Sequence, residues 1–321
     1  MVNIPIAGPL AASEAEVSGL AWHGEQLILL PQYPQRMGGY LFALSKGDIL
    51  ALLDGELDGP LLPRPIPLSG PDLSELVPGY EGLEALAFNG NQVFFTLEAD
   101  RGEITGGYLM DGYFKPDLSG LVLDGTILAE LPQQVPVHNH SDETLLVAGD
   151  SVITIFELNG ADLNPAPMGR RFQVSLSAAG SLGFPHIPYR ITDATAVDSA
   201  GRFWVINYFW PGEMKIHAGA RDPFWRRFGQ GPSHAAGEAV ERLIELRLDA
   251  DAIRLTDTPP IQLQLRSDGE SRNWEGLVRL DDRGFLIISD EYPLPVTLLG
   301  FVPYPPVAPD TVAAGSGSSG P

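Results

Sequence analysis

Ten polar residues recur at two positions of a repeated hairpin, and seven of them are carboxylates. Ser18 and Gln32, Glu84 and Glu98, Glu143 and Glu157, Asp193 and Asn207, and Glu275 and Asp290 each bracket two short apolar runs joined by a turn of Gly, Asn, Asp or Ser. In an antiparallel pair with a central turn, the residues at its two ends lie side by side. Carboxylates crowded together raise one another's pKa, so either some take up protons or a cation sits among them. Oxygen donors in a chain with no Cys suit Ca²⁺, with Mg²⁺ or Mn²⁺ as substitutes, better than Zn²⁺. The expected ligands come from Glu81 or Glu84, Glu98, Glu157, Asp193, Asn207, Glu275 and Asp290. Glu81 enters because Tyr80-Glu81-Gly82-Leu83 is similar to Trp274-Glu275-Gly276-Leu277, which leaves the register open. The alternative is that these side chains only cap strand ends or bind neighbouring backbone N–H groups.

The loops that enter the hairpins supply further chemistry. His138 and His140 precede Glu143 and are candidate general bases, because imidazole titrates near neutrality. Glu143 is a third candidate for that role. Arg190 and Arg272 offer guanidinium groups for a substrate carboxylate or phosphate, with Tyr189 and Trp274 beside them. A segment at about 210–238 separates the fourth hairpin from its next strand. Its aromatic run Phe224-Trp225-Arg226-Arg227-Phe228 suggests a lid-like insertion that brings Arg226 or Arg227 toward the site; the alternative is an aromatic clasp on the rim or a dimer contact. Long loops in compact domains are usually functional or disordered.

The elements that must position these residues are β-strands. Each repeat has β-branched and aromatic runs around a tight turn. Third strands follow at Gly38-Gly39-Tyr40-Leu41-Phe42 and at Gly106-Gly107-Tyr108-Leu109-Met110. Fourth strands are expected at 49–53 and 126–131, and no strong amphipathic helix stands out. Repeats of this kind are the mark of propeller blades, which bury their faces by packing around an axis. Five blades are counted, and a sixth fits if 159–191 holds two. An N-terminal strand at 2–6 would close the last blade. The expectation is an all-β protein: one β-propeller over 1–308 and a disordered Gly/Ser-rich tail over 309–321. A β-sandwich would explain the strands but not the repeated Gly-Gly-Tyr-Leu segment.

Composition narrows the partners. Lys and Arg number 20 against 41 Asp and Glu, a formal net charge of −21, so nucleic acid and anionic membranes are poor partners. Cations and small-molecule substrates suit the chain better. Without Cys, disulfides and thiol chemistry are excluded. No run of 18 apolar residues occurs, and Met1-Val2-Asn3-Ile4-Pro5 does not read as a signal peptide. The compartment and the oligomeric state stay open. No Gly-x-Ser-x-Gly elbow, P-loop or dinucleotide fingerprint is present.

Glu81-Gly82-Leu83-Glu84-Ala85-Leu86, the stretch from Asp193 through Gly201-Arg202-Phe203-Trp204-Val205, and Trp274-Glu275-Gly276-Leu277 resemble the blades of calcium-dependent propellers. These are the esterase-like phytase domain and the gluconolactonase and paraoxonase superfamily, usually six-bladed. The resemblance implies Ca²⁺ in the channel, held by Glu81 or Glu84, Asn207, Glu275 and Asp290. The leading expectation is then a metal-dependent hydrolase of an ester, lactone or phosphoester. A propeller that binds a ligand or protein without catalysis is the alternative, and a glycosidase using two carboxylates is a third.

Overall fold

Unbroken apolar runs such as Leu27-Ile28-Leu29-Leu30 give a strand two buried faces, which a lone sheet cannot cover. The chain solves this by packing four-stranded sheets side by side. The computed structural model describes residues 1–12, 15–115, 117, 119–217, 222–290 and 297–305. The expected tail at 309–321 lies outside them. Blade one is built from Val17–His23, Gln26–Pro31, Tyr40–Ser45 and Arg64–Ser69. Blade two is built from Tyr80–Asn89, Gln92–Asp100, Thr105–Phe114 and Leu121–Leu131. Blade three uses Asp142–Ala148, Ser151–Phe156, Met168–Gln173 and Ala178–Gly183. The last two absorb the stretch that could have held a sixth blade.

Blade four has Arg202–Phe209, Val240–Leu248 and Ile253–Leu255. Its inner strand is an irregular segment held by the bridge Ala194↔Val205. Blade five has Trp274–Leu280, Gly284–Ser289 and Leu298–Pro303, with Val2–Ile4 as its outer strand. The N-terminal strand therefore closes the last blade, as its apolar run suggested.

Five apolar clusters fill the five gaps between blades. Leu41, Ile66, Phe95 and Met110 lie between blades one and two, and Phe94, Leu109, Leu145 and Val152 between two and three. Ile153, Leu182, Phe203 and Leu246 join three to four. Ile206, Leu243, Phe285 and Ile287 join four to five, and Leu20, Leu27, Leu286 and Leu299 join five to one. Adjacent residues such as Leu145 and Leu146 serve opposite gaps, as the period of two requires. Burying each such side chain contributes roughly 1.5–3 kcal/mol. The last cluster completes a ring, so the described residues form a five-bladed β-propeller.

One expectation about elements fails. Residues 49–53 are not a strand: they belong to the helix Lys46–Leu53, whose N-cap Ser45 accepts a hydrogen bond from the Asp48 N–H at 3.4 Å. Blade one takes its outer strand from Arg64–Ser69, which also pairs in parallel with blade two through Leu68↔Leu121. No helix among the described residues is long and apolar enough to cross a membrane.

Candidate functional site

Four inner strands carry a β-bulge at the same place. The pairing skips Ser18 between Val17 and Gly19, Glu84 between Leu83 and Ala85, Glu143 between Asp142 and Thr144, and Glu275 between Trp274 and Gly276. A bulge inserts one unpaired residue and re-aims its side chain. Here it turns four side chains toward the axis. Gly276 permits this where blades five and one meet, because a Cβ there would stand 2.7 Å from Leu20 Cγ and 3.0 Å from the Leu20 nitrogen.

The bulged residues and the second-strand ends line one cavity of about 330 Å³. Ser18, Gln32, Glu84, Glu98, Glu143, Glu275 and Asp290 all face it, with Arg190, Asn139 and Asn273. The register question resolves on Glu84, which lines the cavity. Glu81 does not; it sits at a second bulge, between Tyr80 and Gly82.

Burial controls the charge of this ring. Glu84, Glu143 and Glu275 are held far from water and near one another, and their pKa values rise; that of Glu143 reaches about 8. Burial also raises Glu98, which accepts a hydrogen bond from Ser141 Oγ at 2.8 Å. Each of these carboxyls is pushed toward its protonated form, the direction that crowding and burial both favour. A built-in cation stands beside them. Arg190 bonds Glu157, and lies 3.4 Å from both Glu143 and Glu213. Burial opposes its charge, but Tyr208, Glu143, Glu213 and Glu275 around it push its pKa up.

Several expected site residues do other work. Asp193 ties blade four to blade five: its carboxylate accepts from the Leu277 N–H and the Ala194 N–H, both at 2.7 Å. Asn207 donates to the carbonyls of Pro188 and Arg190, and its oxygen accepts from Arg242 Nε at 2.8 Å. Neither is left to ligate a metal. Glu157 is fully buried against Arg190 and does not line the cavity. Arg272 is held by Glu241 at 2.6 Å, and Trp274 is wholly buried in the core between blades four and five. Arg226 is exposed and does not line the cavity, because its short helix, Pro223–Phe228, turns Phe224 inward instead.

His138 is a surface residue 3.5 Å from Asp100. His140 is buried, and desolvation together with Arg190 pushes its pKa down to about 4. Tyr189 stacks on Phe209 and lines a neighbouring cavity of about 320 Å³, not the central one. As a set, the ring residues do not fit a calcium cage, which takes six to eight oxygens. No three His, Asp or Glu side chains among the described residues are placed close enough to hold an ion.

Glu213 escapes a reading of the repeat because it belongs to none. The insertion brings it in: Pro211–Glu213 form one turn of 3-10 helix directly after the Arg202–Phe209 strand, and the turn delivers Glu213 to Arg190. The only signal was topological, since that strand ends at the channel mouth.

No known protein family and no curated protein sequence matches the chain. Solved structures do. An exo-1,5-α-L-arabinanase from a bovine ruminal metagenomic library is 9% identical over 94% of this chain and 95% of its own, with a TM-score of 0.48. An α-L-arabinanase mutant from Cellvibrio cellulosa is 9% identical over 94% and 92%, with a TM-score of 0.49. A β-fructofuranosidase mutant from Bombyx mori, in complex with sucrose, is 10% identical over 90% of this chain and 57% of its own, with a TM-score of 0.50. At such identities the likeness is one of fold. The last, at a TM-score of 0.50, agrees with the propeller built above, while the phytase-like and lactonase-like resemblance gains nothing beyond that.

Proposed function

We propose that this propeller is a hydrolase that cleaves a glycosidic bond at the channel mouth by acid–base catalysis between carboxyl groups. One observation carries the reading: Glu84, Glu98, Glu143, Glu275 and Asp290, from three blades, converge on one open cavity. Its size is in the range of small-molecule sites.

Glycoside cleavage needs a proton donor for the leaving oxygen and a second carboxylate for water or for the anomeric carbon. Glu143 suits the first role, because burial keeps it protonated up to about pH 8. Asp290 suits the second. It is only partly buried, and the Asn273 amide donates to it at 3.3 Å. Blade four separates the two residues, so they flank the cavity rather than share one edge. Gln32, Asn139 and Asn273 add amides that can bind sugar hydroxyls.

The ester, lactone or phosphoester reading has less support. An anionic substrate would enter among five acidic side chains, and Arg190 is already engaged by three glutamates. A propeller named as a β-fructofuranosidase shows only that the fold permits such chemistry.

The test is hydrolysis of a panel of aryl glycosides beside aryl esters, lactones and phosphoesters. Glycosides should be cleaved, and Glu143→Gln should lower kcat roughly 100-fold or more. Cleavage of esters or phosphoesters alone, or glycoside cleavage untouched by Glu143→Gln, would overturn the assignment.

A further inference from the structure

A second cavity, of about 320 Å³, lies beside the central one. Its volume is in the range of small-molecule sites. Two pairs of consecutive residues form the wall between the two spaces. Tyr189 lines the second cavity and Arg190 the central one. Met214 lines the second cavity, while Glu213 lies 3.4 Å from Arg190. Consecutive Cα atoms are about 3.8 Å apart, so the cavities adjoin. Tyr189 holds a φ of 74°, a left-handed conformation that bulky residues rarely adopt. Strain of this kind gathers where the placement of a side chain matters.

One wall of the second cavity is a buried ion pair. Arg242 is 2% exposed and lines the cavity. Its Nε donates to Asn207 Oδ1 at 2.8 Å, and its Nη1 donates to Asp222 Oδ2 at 2.7 Å. The rings of Phe224 and Tyr189 flank the guanidinium, with centroids at 4.6 and 5.7 Å. Nη2 has no hydrogen-bond partner among the described residues. A buried donor left unpaired is costly, and an acceptor oxygen seated in the cavity would complete the set.

Charge narrows what carries that oxygen. Asp222 already balances Arg242, and Glu238 also lines the cavity. An anion therefore meets no net positive field, and a cation offers nothing to the Nη2 donor. A hydroxyl supplies a lone pair without a full charge. Trp225, at 55% exposure, adds an accessible indole to the same lining, a flat apolar surface with a polar edge. Gln230 and Gln262 bring amides that both donate and accept.

We infer that this cavity is a second binding site, for a neutral sugar ring that stacks on Trp225 and places a hydroxyl oxygen against Arg242. A sugar has C–H faces for the indole and hydroxyl groups for the amides. The inference deepens the glycosidase reading and rests on it for the substrate class. The reacting sugar would fill the central cavity, and another sugar of the same chain would reach over the Arg190–Glu213 wall into this one. The preferred substrate is then an oligosaccharide.

The whole protein carrying Glu143→Gln, which keeps substrates intact, is titrated by calorimetry with arabinose, xylose and galactose and with a trisaccharide of each. Glucuronate and choline serve as the charged probes. At least one trisaccharide should bind roughly 10-fold or more tightly than its monosaccharide, and adding Trp225→Ala should weaken it by a similar factor. Trp225→Phe should restore part of the loss, because it keeps a flat ring. Gln230 is exposed, so Gln230→Ala gives a second variant at the same lining and should also weaken binding. Trisaccharide affinity unchanged in Trp225→Ala, no trisaccharide binding, or a preference for glucuronate or choline would overturn the site. A trisaccharide held no more tightly than its monosaccharide would overturn the bridging of the two cavities. Hydrolysis is assayed separately on the wild type. Binding that depends on Trp225 without hydrolysis keeps the sugar site and removes the activity, and hydrolysis with binding indifferent to Trp225 does the reverse.

Discussion

The most informative single residue is Glu143, because its environment predicts two separate pH effects. Its pKa rises to about 8 in the fold, by burial first and then through Glu98 and Glu213, against the opposing pull of Arg190. An unfolded glutamate titrates near 4.3. The folded protein therefore binds the proton more tightly, and stability falls as pH rises between those two values. His140 and His217, both lowered to about 4 by burial first, act in the opposite sense below pH 6.5. Above pH 6.5 they are neutral in both states, and the carboxyl effect stands alone. Tm should then fall from pH 6.5 to pH 8.5, and Glu143→Gln should make that slope shallower, the remainder coming from Glu84 and Glu275, which burial also raises. A slope unchanged in Glu143→Gln would show that Glu143 ionises like an exposed glutamate. The same proton sets activity, so glycoside cleavage should decline above about pH 8 as the acid is lost.

At the scale of elements, the sequence shows the hairpins but hides the bulges. Turn glycines and alternating apolar residues are visible one residue at a time, and they place Glu84, Glu143, Glu275 and Asp290 at hairpin ends. A bulge has no composition of its own. Ser18, Glu84, Glu143 and Glu275 look like ordinary strand starts, and only the pairing reveals each as the extra residue. The same gap explains Asp193. It holds the equivalent place on blade four, whose inner segment lacks a regular strand, and its carboxylate turns to the backbone of blade five instead. Residues 49–53 misled for another reason: Ile-Leu-Ala-Leu-Leu is apolar enough for either element, and the Ser45 cap decides for helix. Gly276 tests the bulge directly. Gly276→Ala would press a methyl group against the Leu20 backbone at 3.0 Å, where side-chain rotation gives no relief. The expected cost is about 1–3 kcal/mol, read as a lower midpoint in urea. An unchanged midpoint would mean that blades one and five do not meet at this bulge.

For the whole molecule, the question is how a ring of five sheets stays shut. Four of the gaps lie between blades consecutive in the chain, so connectivity alone keeps those neighbours close. The fifth joins blade five to blade one, whose inner strands are more than 250 residues apart in sequence. Val2–Ile4 spans it by pairing Val2, Asn3 and Ile4 with Phe301, Gly300 and Leu299. Ile4 is 1% exposed and packs in the cluster between those blades. Closure matters to the cavity as well, since Glu275 and Asp290 stand on blade five and Ser18 and Gln32 on blade one. An open seam would admit water beside Glu275 and lower the pKa that burial now raises. Deleting residues 1–6 removes the strand and the buried Ile4, a loss of roughly 3 kcal/mol from that side chain's burial alone. For a chain of this length that lowers Tm by about 5 °C. It also bares the edge of Leu298–Pro303, which should appear as concentration-dependent association in light scattering. A truncated chain with the wild-type Tm would mean that the apolar cluster closes the ring unaided, and that the N-terminal strand only decorates it.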